Sequence, residues 1–503
     1  MPLSLRFVIL LTFLMELASA QTPLAIADVT VIDVIQGAAR EHQTVLVSNG
    51  HIADIGSADT IKVPAQALRV SGQGRYLIPG LWDMHIHLRS DAAKRYVSLV
   101  DDNAALLDLF LPNGVVGVRE MGGDLAEYVL RWREEVRTGK RTGPRILTAV
   151  RKIDQEPPAW PGSLGVKTTE EAREAVRQMK QEGADFIKVY FARVTPQVLG
   201  AVVDEAHKLN LRVVGHWPSN IPVQDVVEIG QDGIEHAQSL LVYRRDEIEK
   251  FDKEQAVRRA AKIPVDPAES AARRLYMLDE KAEEPLYRAM AAKQVWVTPT
   301  MAVHTRVRLE LGVTDFNSDP RLRYVFPAIW ESWDPKLGRR KPVTEDKIRE
   351  LNALTIKRTD EALVLAYKSG VPMLAGTDCG VDNNYMFPGW SLHEELEALV
   401  KAGLKPIDAL RMATINAAKW RGETDTSGSV EKGKVADLVL LRSNPLETIG
   451  HTREIDAVVN GGHYYSRLDL DLMLRGAEER ASAARRHDAT EGSPPGSSSA
   501  RTQ

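Results

Sequence analysis

The chain has 503 residues, 44% of them hydrophobic and 27% charged, and a formal net charge of -4. Wholesale disorder is excluded, there is chain enough for one large domain and a smaller one, and the near-balanced charge gives no electrostatic drive toward nucleic acid or an anionic membrane; a small-molecule substrate is the expected partner. The single cysteine, Cys379, excludes an internal disulfide, thiolate zinc clusters and iron–sulfur sites, so any metal must be held by His, carboxylate or modified Lys.

Residues 1–20 read as an export signal: Arg6, an apolar run over 7–15, then the small-residue site Ala18-Ser19-Ala20. The run falls short of the about 20 apolar residues that span a bilayer, so cleavage and a periplasmic or secreted location are expected, without stable membrane insertion. No Cys follows the site, which removes a lipoprotein anchor. Over 21–78, short alternating strands at 26–32, 44–47, 51–55 and 68–70 form a small β unit. The middle, 79–424, alternates short apolar runs with amphipathic stretches such as 169–182 and 196–209, the signature of βαβ units on a parallel sheet. Eight strands are predicted, at 77–87, 115–120, 145–150, 186–190, 212–216, 233–236, 295–300 and 373–378, and predict an α/β fold of the (β/α)₈ TIM-like barrel kind. Two connections, 240–292 and 303–358, are too long for plain barrel loops; each is either a solvated helical hairpin or a lid or substrate wall. Strands return over 425–475, at 437–441 and 455–462. From 476 to 503 the chain turns charged and then Ser/Gly/Pro-rich, and is expected to be disordered.

Candidate chemistry gathers at the predicted strand ends. His85 and His87 lie two apart on the first strand and project to one face, toward the barrel mouth. An HxH pair alone is weak evidence, since either ring can serve as a hydrogen-bonded core histidine. Of the 12 histidines, however, His216 and His236 end the fifth and sixth strands, where a polar ring after an apolar run is costly without a ligand or partner. Asp378 ends the eighth strand; it reads as a turn aspartate or, given its position, as a ligand and general base. Alternation turns Phe186, Lys188 and Tyr190 inward, and a lysine inside a barrel must be neutralised, paired or modified. Carbamylated, it becomes an anionic oxygen ligand able to bridge two cations. Tyr190 stands one step higher, over the metals. Arg119 is placed either to grip a substrate carboxylate bidentately or to form an ion pair, His304 to meet a substrate carbonyl or to sit on its loop, and Trp160 to form an apolar wall or pack its own loop.

Taken together, Pro79-Gly80-Leu81-Trp82-Asp83-Met84-His85-Ile86-His87, Phe186-Ile187-Lys188-Val189-Tyr190, Ile234-Glu235-His236, Gly376-Thr377-Asp378 and the segments 409–418 and 433–439 resemble the amidohydrolase superfamily. The similarity is greatest to its imidazolonepropionase-like and lysine-carbamylated Xaa-Pro dipeptidase (prolidase) branches, and covers nearly all of the chain after the signal. It implies two divalent metals, usually zinc, with His85, His87 and Asp378 on one, His216 and His236 on the other, and N6-carboxylated Lys188 bridging. It also implies that the β-rich ends, 21–78 and 425–475, fold into one small β-sandwich beside the barrel. The activity implied is hydrolysis of an amide bond in a dipeptide or N-acyl amino acid by a metal-bound hydroxide, with Asp378 moving the proton to the leaving amine. A cyclic amide, a lactone or a xenobiotic amide is the alternative substrate. A non-catalytic binding protein on the same barrel is a further alternative, against which the complete ligand set speaks. The export signal argues against the cytosolic imidazolonepropionase reaction itself. A homo-oligomer is compatible with all of this.

Overall fold

The computed structural model describes residues 22–89, 99–191, 193–218, 220–311, 313–334, 344–381 and 385–491; the predicted export signal lies outside the described residues. Two parallel sheets carry the middle of the chain. One holds Leu81–Ile86, Val115–Glu120 and Arg145–Thr148; the other runs Leu164–Val166, Lys152–Gln155, Ile187–Val189, Val213–Gly215, Gly233–Glu235, Trp296–Thr298. Isolated parallel bridges Val297 to Met373 and Ile86 to Cys379 place the run 373–379 between the last strand of the second sheet and the first strand of the other. Across the opposite gap the Asp185 N–H donates to the Thr148 carbonyl at 2.9 Å. The architecture is TIM-barrel-like α/β. Its helices follow from local chemistry: Thr168 and Glu171 form a capping box for Thr169–Glu182, Gly183 ends that helix in the left-handed region, and Ala172, Val176 and Met179 supply its buried face.

The predicted strand 77–87 is divided and the predicted strand 145–150 is shortened, and both differences matter to the site. The run 77–87 breaks at Gly80: Tyr76–Pro79 pairs with Leu438–Leu441, and Leu81–Ile86 enters the three-stranded parallel sheet. A Cβ at Gly80 would lie 2.5 Å from Val116 Cγ2, so only glycine passes there. The run 145–150 ends at Thr148, turns through Val150 at φ +64, and resumes as Lys152–Gln155, which pairs with Ile187–Val189. This places Lys152 in register with Lys188.

Strands from both chain ends form one eight-stranded sheet in which Tyr76–Pro79 joins Leu24–Asp33 to Leu438–Leu441. The expectation of a disordered tail over 476–503 is corrected for 476–491, since Arg467–Glu491 is a helix with Leu470, Ala477 and Ala481 buried, while 492–503 lie outside the described residues. Its Ala/Glu/Arg composition favours helix, and the dense charge lies beside a narrow apolar face. The two long connections are largely helical, with Arg245–Ala260, Pro267–Tyr276 and Glu280–Ala292 in the first, and Pro327–Trp333 and the start of Asp346–Lys368 in the second. Among the described residues no helix is long and apolar enough to cross a membrane.

Candidate metal centre

Side chains from the strand ends converge as the periodicity predicts. Asp378 Oδ1 lies 3.2 Å from His85 Nε2 and 3.1 Å from His87 Nε2. His236 and His216 face each other Nε2 to Nε2 at 2.8 Å, and the His85 and His236 rings are 5.0 Å apart. Among the described residues, ligand atoms of His85, His236 and Asp378 lie within 4.8 Å of one another, a set that straddles the two predicted half-sites. Lys188 is buried beside them, and its Nζ finds no hydrogen-bond partner. Tyr190 stands over the cluster, its ring 4.4 Å from that of His216, and the His304 ring is 5.6 Å from that of His236.

Supporting residues fix how these groups point. His85 Nδ1 donates to Glu235 at 2.7 Å, which turns the other ring nitrogen toward Asp378. His236 Nδ1 pairs with Thr300 Oγ1 at 2.8 Å. Asp83 accepts from the Thr377 amide at 3.0 Å and its hydroxyl at 2.7 Å, pinning the residue before Asp378. His236, Thr300 and Asp378 all have positive φ, at +72, +50 and +57. Three non-glycine residues in that sparsely populated region mark a site over-determined by its surroundings.

Electrostatics make the cluster a donor set. Burial pushes His87 and His216 well below the ordinary imidazole value and His236 down to about 3, so these rings are neutral at pH 7 and offer lone pairs. Burial alone would raise the Asp378 carboxyl, but its hydrogen bonds with His85 and His87 outweigh this and hold it well below the usual carboxylate range. Burial pulls Lys188 down to about 8, against the pull of Glu235 and Asp378. Four imidazoles, a carboxylate and a buried amine with no hydrogen-bond partner among the described residues fit divalent metal.

The cluster forms the floor of a cavity of about 1030 Å³. His87, Lys188, Tyr190, His216, His236, His304 and Asp378 line it, as does Trp160. Both long connections supply its walls, through Leu241, Tyr243 and Leu275 of the first and Val307, Ile348 and Thr355 of the second. Both connections are therefore cavity walls. Arg119 corrects its expected role at the substrate. It is buried outside the cavity lining, where Nε donates to Met84 O at 2.6 Å and Nη2 to Glu235 at 2.8 Å and Thr298 Oγ1 at 3.0 Å, so it supports His85 through Glu235. Sequence reasoning missed Glu235, whose signal was a carboxylate inside a buried strand, and Lys152, hidden by the break in its strand.

The model of the amidohydrolase family matches residues 76–464, more than half of the chain. The chain belongs to the amidohydrolase family. It is accordingly a hydrolytic enzyme acting on carbon–nitrogen bonds. Among solved structures this amidohydrolase is similar to a Xaa-Pro dipeptidase with bound methionine, at 21% identity over 88% of this chain and 100% of that one, with a TM-score of 0.64. It is also similar to a bottromycin amidohydrolase, at 21% identity over 92% of this chain and 91% of the other, with a TM-score of 0.66. An A. niger ochratoxinase matches at 19% identity over 89% and 96%, with a TM-score of 0.60. At these identities the likeness carries the fold. No curated protein matches the sequence.

Proposed function

We propose that this amidohydrolase cleaves the amide bond of a dipeptide or N-acyl amino acid. The observation that carries the reading is the convergence of His87, Lys188, His216, His236 and Asp378 on one cavity, with His85 buried against Asp378 behind them. In this reading His85, His87 and Asp378 would hold one divalent cation and His216 and His236 a second, zinc being the expected ion for imidazole and carboxylate donors, and Lys188, if N6-carboxylated, would supply a further oxygen donor to both. Bound there, the metals bring the pKa of water to about 7 and polarise a carbonyl. Asp378, ionised at neutral pH, accepts the proton of the attacking water and delivers it to the leaving nitrogen. Tyr190 and His304, at the cavity wall beside His216 and His236, orient the substrate carbonyl. At about 8, Lys188 keeps a fraction of neutral amine near pH 7, the form that adds carbon dioxide. The names of similar structures, a Xaa-Pro dipeptidase and a bottromycin amidohydrolase, support an amide substrate.

One observation favours a second reading, a bulkier cyclic amide, lactone or xenobiotic amide: about 1030 Å³ is at the upper end of cavities that take drug-sized ligands. Closure of the two parallel sheets into one barrel, a two-layer sandwich of the chain ends, and export with removal of 1–20 belong to the same proposal. Metal-loaded enzyme offered libraries of dipeptides and N-acyl amino acids, with esters and lactones alongside, decides the substrate. Cleavage confined to the esters and lactones rejects the first reading. Intact mass spectrometry tests Lys188: one carbon dioxide per chain, lost in acid and absent from Lys188→Ala, is expected.

A further inference from the structure

A second cavity, of about 580 Å³, opens where the parallel strands begin, and no residue lines both it and the cavity over the metal ligands. Arg212 precedes Val213–Gly215 and Trp296 opens Trp296–Thr298, whereas His216 and Thr300 lie past the other ends of these strands. At the strand-start face of a TIM-barrel-like fold side chains ordinarily serve stability, which for a cation means a partner. Arg212 and Lys419 have none: among the described residues neither makes a side-chain hydrogen bond or an ion pair, and no carboxylate lines the cavity. The neighbouring acids are already engaged. Asp232, whose charge reaches Arg212, accepts from the Val213 amide at 2.7 Å and pairs with His207 at 2.8 Å. Asp408, beside Tyr367, pairs with Arg411 at 3.2 Å. Nor do the helix ends at this face consume the two cations. Backbone amides close them, Val295 onto the Met290 carbonyl at 2.9 Å after Glu280–Ala292 and Val371 onto the Ala366 carbonyl at 3.1 Å after Asp346–Lys368.

We propose that this cavity is a binding site for a small soluble phosphate monoester, separate from the hydrolytic centre. Charge selects the anion: two cations with no acid between them match a dianion, and a phosphate monoester carries about -1.5 to -2 near pH 7 where a carboxylate carries one charge. Arg212 is held ready for it. Its guanidinium lies 5.5 Å from the centre of the buried Trp420 ring, which also carries Arg119 at 4.7 Å. Partial burial disfavours the charge of Arg212, and a bound oxyanion would offset that cost with paired N–H donors. Lys419, exposed at the rim, adds a mobile point charge. Two amides stand beside the cations with hydrogen-bonding capacity to spare. Gln294 gives one N–H to the Ala291 carbonyl at 2.8 Å and Asn416 one to the Met373 carbonyl at 3.0 Å, and each retains a second N–H and its carbonyl oxygen. Trp296, Tyr367, Val371 and Pro372 make the rest of the wall apolar, which suits the organic group of an ester better than bare phosphate. The site does not depend on which bond the metal centre cleaves.

Calorimetric titration of the metal-loaded full chain with phenyl phosphate, inorganic phosphate and benzoate tests the site, and a repeat after chelation removes any phosphate held by metal. Phenyl phosphate is expected to bind once per chain in both states, at least about fivefold tighter than inorganic phosphate, which lacks the apolar group, and about tenfold tighter than benzoate, which lacks the second charge. Arg212→Met is expected to weaken phenyl phosphate by about tenfold or more and Lys419→Met by about threefold or more, while Lys419→Arg keeps the affinity of the unaltered chain. Should Arg212→Met fail to fold, Arg212→Gln replaces it. No binding of phenyl phosphate overturns the site, as does binding that neither the Arg212 nor the Lys419 substitution weakens. Binding that vanishes on chelation while circular dichroism stays native also overturns it, because it belongs to the metal centre. Inorganic phosphate or benzoate binding as tightly as phenyl phosphate overturns the choice of a monoester.

Discussion

Glu235 accepts from His85 at 2.7 Å with one oxygen and from Arg119 at 2.8 Å with the other, all three side chains being buried. Burial alone would raise the Glu235 carboxyl, but the Arg119 charge and His85 outweigh it and hold it well below the usual carboxylate range. A depressed acid contributes stability that is complete above its unfolded value and is lost as pH falls through the folded one. The pair is therefore intact at neutral pH and fails only in strong acid. Arg119→Met strands the carboxylate: unfolding in urea should show a loss of about 3–5 kcal/mol, and metal titration a roughly 10- to 100-fold weaker affinity. Asp378→Asn keeps the four imidazoles and should retain metal by elemental analysis while kcat falls by about 10²–10⁴; undiminished turnover would remove Asp378 from proton transfer. The clustering of His85, His87, His216, His236 and Asp378 was legible in the sequence because each is a polar group at the end of an apolar run. The role of Arg119 was not, because its partner lies 116 positions away and only the register of the sheets brings them together.

Elements were legible wherever a run was uninterrupted: Val115–Glu120 has the predicted bounds, while Gly80 and Val150 divide runs that hydropathy alone reads as continuous. A backbone turn of that kind leaves the apolar pattern intact and redirects the chain, which is how Lys152 came to lie beside Lys188 unforeseen. The short helix Met301–Thr305 shows what an element contributes to the site. Glu395, buried on Trp390–Ala402, accepts the Met301 amide at 2.9 Å with one oxygen and the Ala302 amide at 2.8 Å with the other. This fixes the helix start immediately after Thr300, which holds His236 in its strained left-handed backbone. Glu395→Gln has one acceptor oxygen for two amides. Thermal unfolding should show a cost of about 1–3 kcal/mol, and metal affinity should fall as Thr300 loosens. Unchanged affinity with lowered stability would confine Glu395 to a structural role.

At the scale of the whole molecule, the tail that composition reads as disordered is a brace for the site. Ala477 of the helix Arg467–Glu491 packs in a hydrophobic cluster of its own with Val325, Ile329, Trp333, Val381 and Tyr385, so that tail, second long connection and the segment after Asp378 share one small core. Arg485 donates to the carbonyls of Leu322 at 3.3 Å, Val325 at 3.0 Å and Arg323 at 2.9 Å, and Arg480 pairs with Asp108 at 2.6 Å. The supported segment leads into Pro327–Trp333, where Trp333 Nε1 donates to the Gly380 carbonyl at 3.1 Å, two residues past Asp378. Contacts thus run from the tail to the segment that follows Asp378. A chain ending at Arg475 uncovers roughly 100–200 Å² of apolar cluster, about 2.5–5 kcal/mol at about 25 cal/mol per Å². The urea midpoint should drop accordingly. Because sub-ångström placement of a proton-transfer group controls rate, kcat should also fall by about tenfold or more with metal content unchanged. Unaltered stability and turnover in the shortened chain would show that the helix covers the cluster without bracing the site, whereas loss of turnover alone would locate its effect in the placement of Asp378.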